Sequence, residues 1–394
     1  MKPEHISDAL NQLSDEVLEE TDQVRTQQSG PRRKWRIWAI AACLCVVIAG
    51  AAILPRLGER TPAIQPGGDL PLLEVSLESG GMGFEGLLYY DFSEMNNGNP
   101  WHEGMVFDTL PVYRNSSYIP AAVGSPIGLS VEEMEQRIQS AAQALGVEIT
   151  GLEQNYDSFI PTEVYQVEAQ ADGLRFTAEG DGTVTVYFDG GLPLPEEYSF
   201  TYSDTADQEA EEVLDYLIDR YAALLNFQQP EKVLRGEYNI YAEFDRDYHV
   251  FDAAGDDVED LLNYAFHYAQ FAPDDAGNLS LIRLYDVNAE KIGDYPIISL
   301  EEAREALLAG QYLTTVPYDF PGGGFVYGGE LIYHKSPASS RWDQTFMPYY
   351  RFYVDISHEF PHWTNGLKNY GAYYVPAVQH QYLKPGWEWD RSFH

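Results

Sequence analysis

The sequence contains very little cysteine and few basic residues, and each shortage excludes a class of function. Its 394 residues include two cysteines, Cys43 and Cys45, which are too few for a disulfide framework or a cysteine-based zinc site. There are 24 lysines and arginines against 62 aspartates and glutamates, so the formal net charge is −38. A nucleic-acid-binding surface needs cations that neutralise phosphates, and this composition therefore excludes nucleic acid as a partner.

One long apolar run is present, at residues 37–54, which read IWAIAACLCVVIAGAAIL without a charge. Its length is near the short end of the range for membrane-spanning helices, and the sequence predicts one transmembrane helix here. Aromatic and basic residues at its N-terminal end are predicted to anchor it and to place that end in the cytoplasm. These membrane-anchor residues are Trp35, Trp38, Arg32, Arg33, Lys34 and Arg36. The predicted location is the cell membrane, with a single pass and an extracytoplasmic C-terminal region.

Two other interpretations of this run are weaker. A cleaved signal peptide has a short charged start, whereas a long polar segment precedes the basic residues here. A lipid-modified Cys43 would need its apolar residues mainly before the cysteine, whereas most of them follow it. The pattern therefore favours a helix that stays in the membrane.

Residues 4–28 are predicted to form an amphipathic helix on the cytoplasmic side. Its apolar positions recur at spacings of 4, 3, 4 and 7, which is typical of one helix face. This apolar seam, the predicted partner-binding surface, consists of Ile6, Leu10, Leu13, Val17 and Val24. A lone helix of about 20 residues is marginal in water, so we expect the seam to pack against a cytoplasmic protein or a second copy.

The opening string from His5 to Leu13, HISDALNQL, is followed by acidic residues, a basic patch and the apolar run. This order resembles the start of single-pass envelope proteins of Firmicutes, some of them anti-sigma-factor-like. The resemblance covers roughly the first 55 residues. It implies a sigma factor as the cytoplasmic partner, although the zinc-binding pattern His-x3-Cys-x2-Cys does not occur in the sequence.

The predicted fold class is α+β, with extracytoplasmic antiparallel sheets and a few packed helices after the two N-terminal helices. Capping boxes that begin at Ser130 and Ser299 mark two of these helices. The predicted organisation is a cytoplasmic segment, a membrane span, a Pro/Gly-rich stalk and two extracytoplasmic subdomains. Their bounds are 1–36, 37–54, 55–70, 71–200 and 201–394. The segment from Tyr295 to Val378 resembles, in pattern, the YycI-like and PepSY-like sensor modules, which implies a sensing role.

One motif matches an enzyme signature, the H-E-x-x-H of zinc hydrolases, at His358 to His362. That chemistry needs both histidines one helical turn apart, and Pro361 inside the motif disfavours a helix. The sequence therefore predicts no catalytic residue, no metal and no cofactor.

Tyrosine is abundant instead, and all 29 tyrosines follow residue 88. The strand-like runs near the C-terminus place tyrosine on both faces of a sheet, as an ordinary amphipathic surface or as a platform for glycan or peptide. The tyrosines concerned are Tyr349, Tyr350, Tyr353, Tyr373 and Tyr374.

These observations predict a membrane protein with an acidic, tyrosine-rich sensing or binding domain outside and a partner-binding helix inside. The outer ligand is not predicted. The alternatives are a surface scaffold or adhesin and, less favoured, a surface zinc hydrolase acting through HEFPH.

The seam can be tested by the double substitution Leu10→Asp and Leu13→Asp in the full chain. Burying each leucine contributes on the order of 1.5–3 kcal/mol before ordering costs, so we expect the variant to lose its crosslinked cytoplasmic partner. Glu16→Gln is the matched control, since an exposed carboxylate contributes about 0–1 kcal/mol. An unchanged set of crosslinked proteins would show that the seam recruits nothing.

Overall fold

A computed structural model of the chain describes residues 70–75, 86–118, 128–156, 164–203, 205–253, 255–335, 343–361 and 365–389. All of them belong to one unit of the chain. The predicted amphipathic helix, the predicted transmembrane helix and nearly all of the predicted stalk lie outside the described residues.

The described strands are β1 Gly86–Tyr89, β2 Thr109–Asn115, β3 Gly151–Tyr156, β4 Val164–Ala171, β5 Leu174–Glu179, β6 Val184–Leu192, β7 Pro230–Tyr238, β8 Phe244–Asp252, β9 His267–Pro273, β10 Leu279–Asp286, β11 Ala289–Pro296, β12 Leu313–Thr314, β13 Val326–Tyr333, β14 Thr345–Phe346, β15 Pro348–Asp355 and β16 Lys368–Pro376. The described helices are α1 Val131–Leu145, α2 Asp207–Arg220, α3 Ala222–Leu225, α4 Asp257–Phe266 and α5 Leu300–Leu308.

An eight-stranded antiparallel sheet forms the largest layer, in the order β3-β4-β5-β6-β10-β9-β8-β7. Side chains alternate between its faces, as the strand period of two requires. One face is apolar and packs against α1, α2 and α3, which share its core. Its central members include Val186, Tyr248, Val250, Phe271 and Ile282, all at most 1% exposed. The opposite face carries polar side chains.

Helix α1 begins and ends at residues whose capping interactions are local in the sequence. Ser130 accepts a hydrogen bond from the Glu133 amide, and the Glu133 side chain returns to the Ser130 amide, which completes the predicted capping box. Gly146 ends the helix at φ 71°, a left-handed conformation that glycine adopts without strain. The inward residues Met134 and Ile138 are fully buried against the sheet.

A second layer consists of a five-stranded sheet, ordered β1-β16-β15-β13 with β12 beside β16, and a three-stranded sheet, β11-β2-β14. Helix α5 packs on this layer, and residues of α4 join the same core. That core is largely aromatic and includes Tyr350, Phe352 and Tyr373.

The predicted architecture requires correction. Strand is more abundant than helix among the described residues, and no helix among them is long and apolar enough to cross a membrane. The single-span component of the fold class is therefore unsupported, and residues 37–54, where the sequence predicts that helix, are not among those described. Antiparallel sheets with a few packed helices remain a broad description of the rest.

The boundary predicted at residue 200 falls inside one sheet. Strand β6 precedes this position and β10 follows it, yet the two pair directly within the eight-stranded sheet. Sequence patterns report local elements, whereas strand pairing across 90 residues depends on the whole fold.

The expectation of a tyrosine-covered sheet surface is also wrong. Tyr349, Tyr350, Tyr353, Tyr373 and Tyr374 are each at most 5% exposed. Their hydroxyls are satisfied inside the protein: Tyr350 donates to the Ile298 carbonyl at 2.9 Å, and Tyr373 donates to the Tyr318 carbonyl at 2.9 Å. Both faces of this sheet are covered, so these rings build the core rather than a platform.

Two segments with a strand-like apolar pattern are not strands along their whole length. Residues 237–244 span the turn of the β7–β8 hairpin, where the Asn239 side chain accepts from the amides of Tyr241 and Glu243. Residues 263–271 begin inside α4 and become β9 only at His267. Local apolar patterns do not separate a short helix from a strand.

The aromatic core can be tested by Phe352→Ala, which removes a fully buried ring. Deleting a buried phenylalanine side chain typically destabilises a protein by about 3–5 kcal/mol. Chemical denaturation of the domain should show that loss in the free energy of unfolding. Phe325→Ala, at a ring that is 41% exposed, is the matched control and should change it by about 0.5 kcal/mol. Equal effects would contradict the assignment of this core.

Candidate binding site

A pocket of about 440 Å³ lies between the two layers. Strands β7 and β8 form one wall, and β1, β15 and the loop at residues 95–97 form the other. Its volume falls in the range of small-molecule sites. We call it the polar pocket, and its lining residues that carry polar groups include Tyr89, Asn97, Arg235, Tyr238, Asp247 and Tyr264.

The far wall is held by a buried ion pair. Glu330 on β13 lies directly opposite Arg351 on β15, and the Arg351 Nη2 and Nε donate to its Oε1 at 2.6 and 3.0 Å. Tyr353 donates its hydroxyl hydrogen bond to the same carboxylate. A buried charge is tolerated only when its remaining hydrogen-bonding capacity is also satisfied.

The loop at residues 95–99 supplies the remaining hydrogen bonds to the Glu330 carboxylate. Asn97 Nδ2 donates to both Glu330 oxygens, at 2.8 and 3.0 Å, and Asn99 Nδ2 donates to Glu330 Oε2 at 2.8 Å. Tyr264 of α4 donates to the Asn97 carbonyl at 2.7 Å. Between the two asparagines, Gly98 has φ +63°, and an added Cβ would lie 2.6 Å from Val233 Cγ1 on β7. The ion pair therefore fixes the loop against the opposite sheet.

A second bond joins the layers at the pocket's edge. The Tyr89 hydroxyl on β1 donates to the Gly236 carbonyl on β7. Burial, and next the nearby Glu237 carboxylate, raise the pKa of Tyr89 well above its ordinary value. This phenol therefore remains a hydrogen-bond donor at neutral pH, and the two walls stay connected.

The near wall presents charges from both strands. Arg235 lies directly opposite Asp247, and Glu237 lies directly opposite Asp245. Asp247 is accessible to water within the pocket, yet the surrounding protein desolvates it and raises the pKa of its carboxyl. The Arg235 guanidinium lies 5.3 Å from the centre of the Tyr264 ring, and its buried Nε has no hydrogen-bond partner.

Arg235 differs from its neighbours in this wall because its buried Nε has no hydrogen-bond partner. Buried polar groups in proteins are nearly always hydrogen-bonded, and an exception calls for an explanation. Among the described residues, Arg235 forms no ion pair, although Asp247 lies across from it. Arg235 also lines the pocket, so the solvent-accessible part of its guanidinium is suited to an acceptor on a ligand, while the Nε itself is closed to solvent.

The sequence-predicted site residues are not brought to this pocket. The partner-binding seam, Ile6, Leu10, Leu13, Val17 and Val24, lies outside the described residues, as do the membrane-anchor residues Trp35, Trp38, Arg32, Arg33, Lys34 and Arg36. Of the HEFPH motif, His358 and Glu359 belong to a single 3-10 turn after β15, with their side chains 3.3 Å apart, and His362 lies outside the described residues. No group of potential metal ligands occurs among the residues that the structure describes.

Apart from Tyr353, the sequence analysis singled out no residue that lines the polar pocket. A signal was available, since basic residues are scarce and Arg235, Arg283 and Arg351 each interrupt an apolar or aromatic strand segment. A cation inside such a strand indicates a polar sheet face or a buried partner. The identity of that partner cannot be read from the sequence, because Glu330 and Asn97 are brought to Arg351 only by folding.

Comparison with known proteins assigns no family. No protein-family model matches the chain, and no curated protein matches it.

The ion pair can be tested through the dependence of stability on pH. Burial alone would raise the pKa of Glu330, but Arg351 and the hydrogen bonds from Tyr353, Asn99 and Asn97 lower it below its ordinary value. Its contribution is therefore present above the carboxyl pKa of the unfolded chain, about 4.3, and is lost as pH falls through the lower folded pKa.

Glu330→Gln should lower the free energy of unfolding at pH 7 by about 3–5 kcal/mol, because it leaves Arg351 buried without a counter-charge. Its stability should then fall less than that of the wild type between neutral and acidic pH. Glu290→Gln, at a carboxylate 69% exposed and paired with Arg114, should change stability by about 0–1 kcal/mol. Urea denaturation across this pH range measures both, and parallel pH profiles for Glu330→Gln and wild type would refute the assignment.

Proposed function

We propose that the described region is a non-enzymatic binding domain whose polar pocket takes a saccharide. The observation that carries the proposal is a pocket in which the charged side chains of Arg235 and Asp247 and the amides of Asn96 and Asn239 line the cavity together with the rings of Tyr238 and Tyr264. A site that combines fixed polar groups with aromatic surface, in a cavity of this volume, is typical of small-ligand recognition.

The chemistry of the lining fits a polyhydroxylated ring. Tyr238 and Tyr264 offer aromatic surface on which the C–H faces of a sugar pack, and their hydroxyls add polar contacts. Asn96 and Asn239 each offer a donor and an acceptor, and Asp247 offers acceptors, so neighbouring hydroxyls find partners of both kinds. A purely apolar ligand would leave these groups desolvated and unpaired.

Binding is favoured over catalysis by the types of residue present. The pocket lining, all of it within the described residues, includes no histidine, serine, threonine or cysteine. The lining therefore does not support acyl transfer by a hydroxyl or thiol nucleophile next to a base, and a ligand that is held without reaction is favoured.

A second candidate function, glycoside hydrolysis, is favoured by one observation. Asp247 has a raised carboxyl pKa, and Asp245 and Glu237 lie beside it on the same hairpin. Glycosidases use a carboxylic acid and a second carboxylate on either side of the scissile bond. Shortened oligosaccharides in the binding reactions, lost on Asp247→Asn, would favour this function.

Whether the chain binds a cytoplasmic partner remains a prediction from the sequence. A saccharide-binding domain would suit an envelope regulator, in which the Ile6–Val24 seam binds a cytoplasmic protein such as a sigma factor. It would equally suit a scaffold or adhesin, in which the seam binds no such protein. A partner that crosslinks to the seam supports the first role.

The proposal is tested by isothermal titration of the protein with galactotriose, cellotriose and chitotriose. We expect at least one to bind, and we expect Asp247→Asn to weaken it about tenfold, since a hydrogen bond to a charged group contributes about 1.5–3 kcal/mol. Asp215→Asn is the matched control, because that carboxylate is 64% exposed and pairs with Lys232 outside the pocket lining. The proposal fails if no trisaccharide binds, or if both variants weaken binding equally.

A further inference from the structure

The polar face of the eight-stranded sheet continues from the polar pocket across four neighbouring strands. His249 on β8 lies opposite Gln270 on β9, Gln270 lies opposite Arg283 on β10, and Arg283 lies opposite Thr185 on β6. These residues form one cross-strand row on the face that α1 and α2 do not cover. Arg235 of the polar pocket lies on β7, two residues from Val233, which is directly opposite His249.

A lysine and two tyrosines lie beside this row. Tyr268 and Tyr285, opposite each other on β9 and β10, stack with ring centres 4.3 Å apart. The Lys335 ammonium lies 4.1 Å from the centre of the Tyr285 ring and donates to the Tyr268 hydroxyl at 3.3 Å. The edge of the Tyr268 ring contacts His249, with ring centres 5.4 Å apart.

The cations of this cluster have only weak partners. Arg283 donates to the hydroxyls of Thr185 and Tyr285, at 3.3 and 3.4 Å. Among the described residues, neither Arg283 nor Lys335 forms an ion pair. Acidic groups do occur nearby, with Asp247 across from Arg235, and Asp181 and Asp343 in the field of Lys335. Within the part of the chain that the structure describes, no carboxylate lies at ion-pair distance from Arg235, Arg283 or Lys335.

The environment of His249 is affected by these neighbouring positive charges. It is 7% exposed, and its Nδ1 has no hydrogen-bond partner. Burial first, and then the charges of Arg235, Lys335 and Arg283, lower its pKa well below the ordinary value. In a chain of net charge −38, this is a region of positive potential.

We propose that Arg235, Arg283 and Lys335, which we call the cation cluster, together with the His249 ring beside them, bind an anionic group, carboxylate or phosphate, carried by the ligand of the polar pocket. The inference rests on the proposed function and narrows its substrate class to acidic saccharides, because Arg235 borders both the pocket and the cluster.

The physical reason is the cost of holding cations together away from water. Burial without a counter-ion is unfavourable for each of them, and an anion among them would relieve both the desolvation and their mutual repulsion. Guanidinium groups bind carboxylate and phosphate oxygens in bidentate fashion, and the cluster offers the guanidiniums of Arg235 and Arg283.

The experiment compares trigalacturonate with galactotriose, its neutral counterpart, by isothermal titration of the full protein, with inorganic phosphate as a third probe. We expect trigalacturonate to bind about tenfold more tightly than galactotriose, as a charge-assisted contact predicts. Arg283→Gln and Lys335→Gln should each remove that preference and leave galactotriose binding unchanged. Arg114→Gln, which removes the same charge at an arginine 62% exposed on another sheet, should keep the preference. Circular dichroism confirms that each variant is folded.

The outcomes separate the two proposals. Equal binding of the charged and neutral sugars, or a preference that survives both Arg283→Gln and Lys335→Gln, overturns the inference and leaves the saccharide pocket standing. Binding of phosphate but of no sugar, lost in Arg283→Gln, supports the cation cluster while the saccharide proposal fails. No binding of any probe overturns both.

Discussion

The buried pair of Glu330 and Arg351 is the interaction on which the candidate site depends. A carboxylate and a guanidinium at the interface of two layers are tolerated because five donors converge on one carboxylate, from Arg351, Tyr353, Asn97 and Asn99. Two of these side chains belong to the loop that forms the pocket wall. The electrostatic requirement to satisfy a buried charge therefore also positions the loop.

The division of the eight-stranded sheet into two faces explains where polar chemistry accumulates. One face packs against α1, α2 and α3, and the residues at the centre of that contact are apolar. The other face carries His249, Arg283 and Thr185 in one row and borders the second layer. A protein of strong net negative charge thereby concentrates several of its few cations at one inner surface, where water screens them least.

The sequence predicted local elements far better than it predicted the site. Ser130 marks the start of α1 by capping chemistry that acts within one turn, and the structure confirms it. The buried tyrosines show the limit of such reasoning. Tyr349 and Tyr350 are consecutive and therefore lie on opposite faces of β15, and only covering elements on both faces make both of them core.

By itself the sequence determined the strong acidity, the shortage of cysteine and the helix caps, because these depend on composition or on neighbours a few residues apart. Tertiary structure alone decided that β6 pairs with β10, that Glu330 meets Arg351 and Asn97, and that Arg235 and Asp247 line one pocket. Those contacts join residues far apart in the chain. The free energies of these contacts depend on how far folding removes the charged groups from water, and a local sequence pattern does not contain that information.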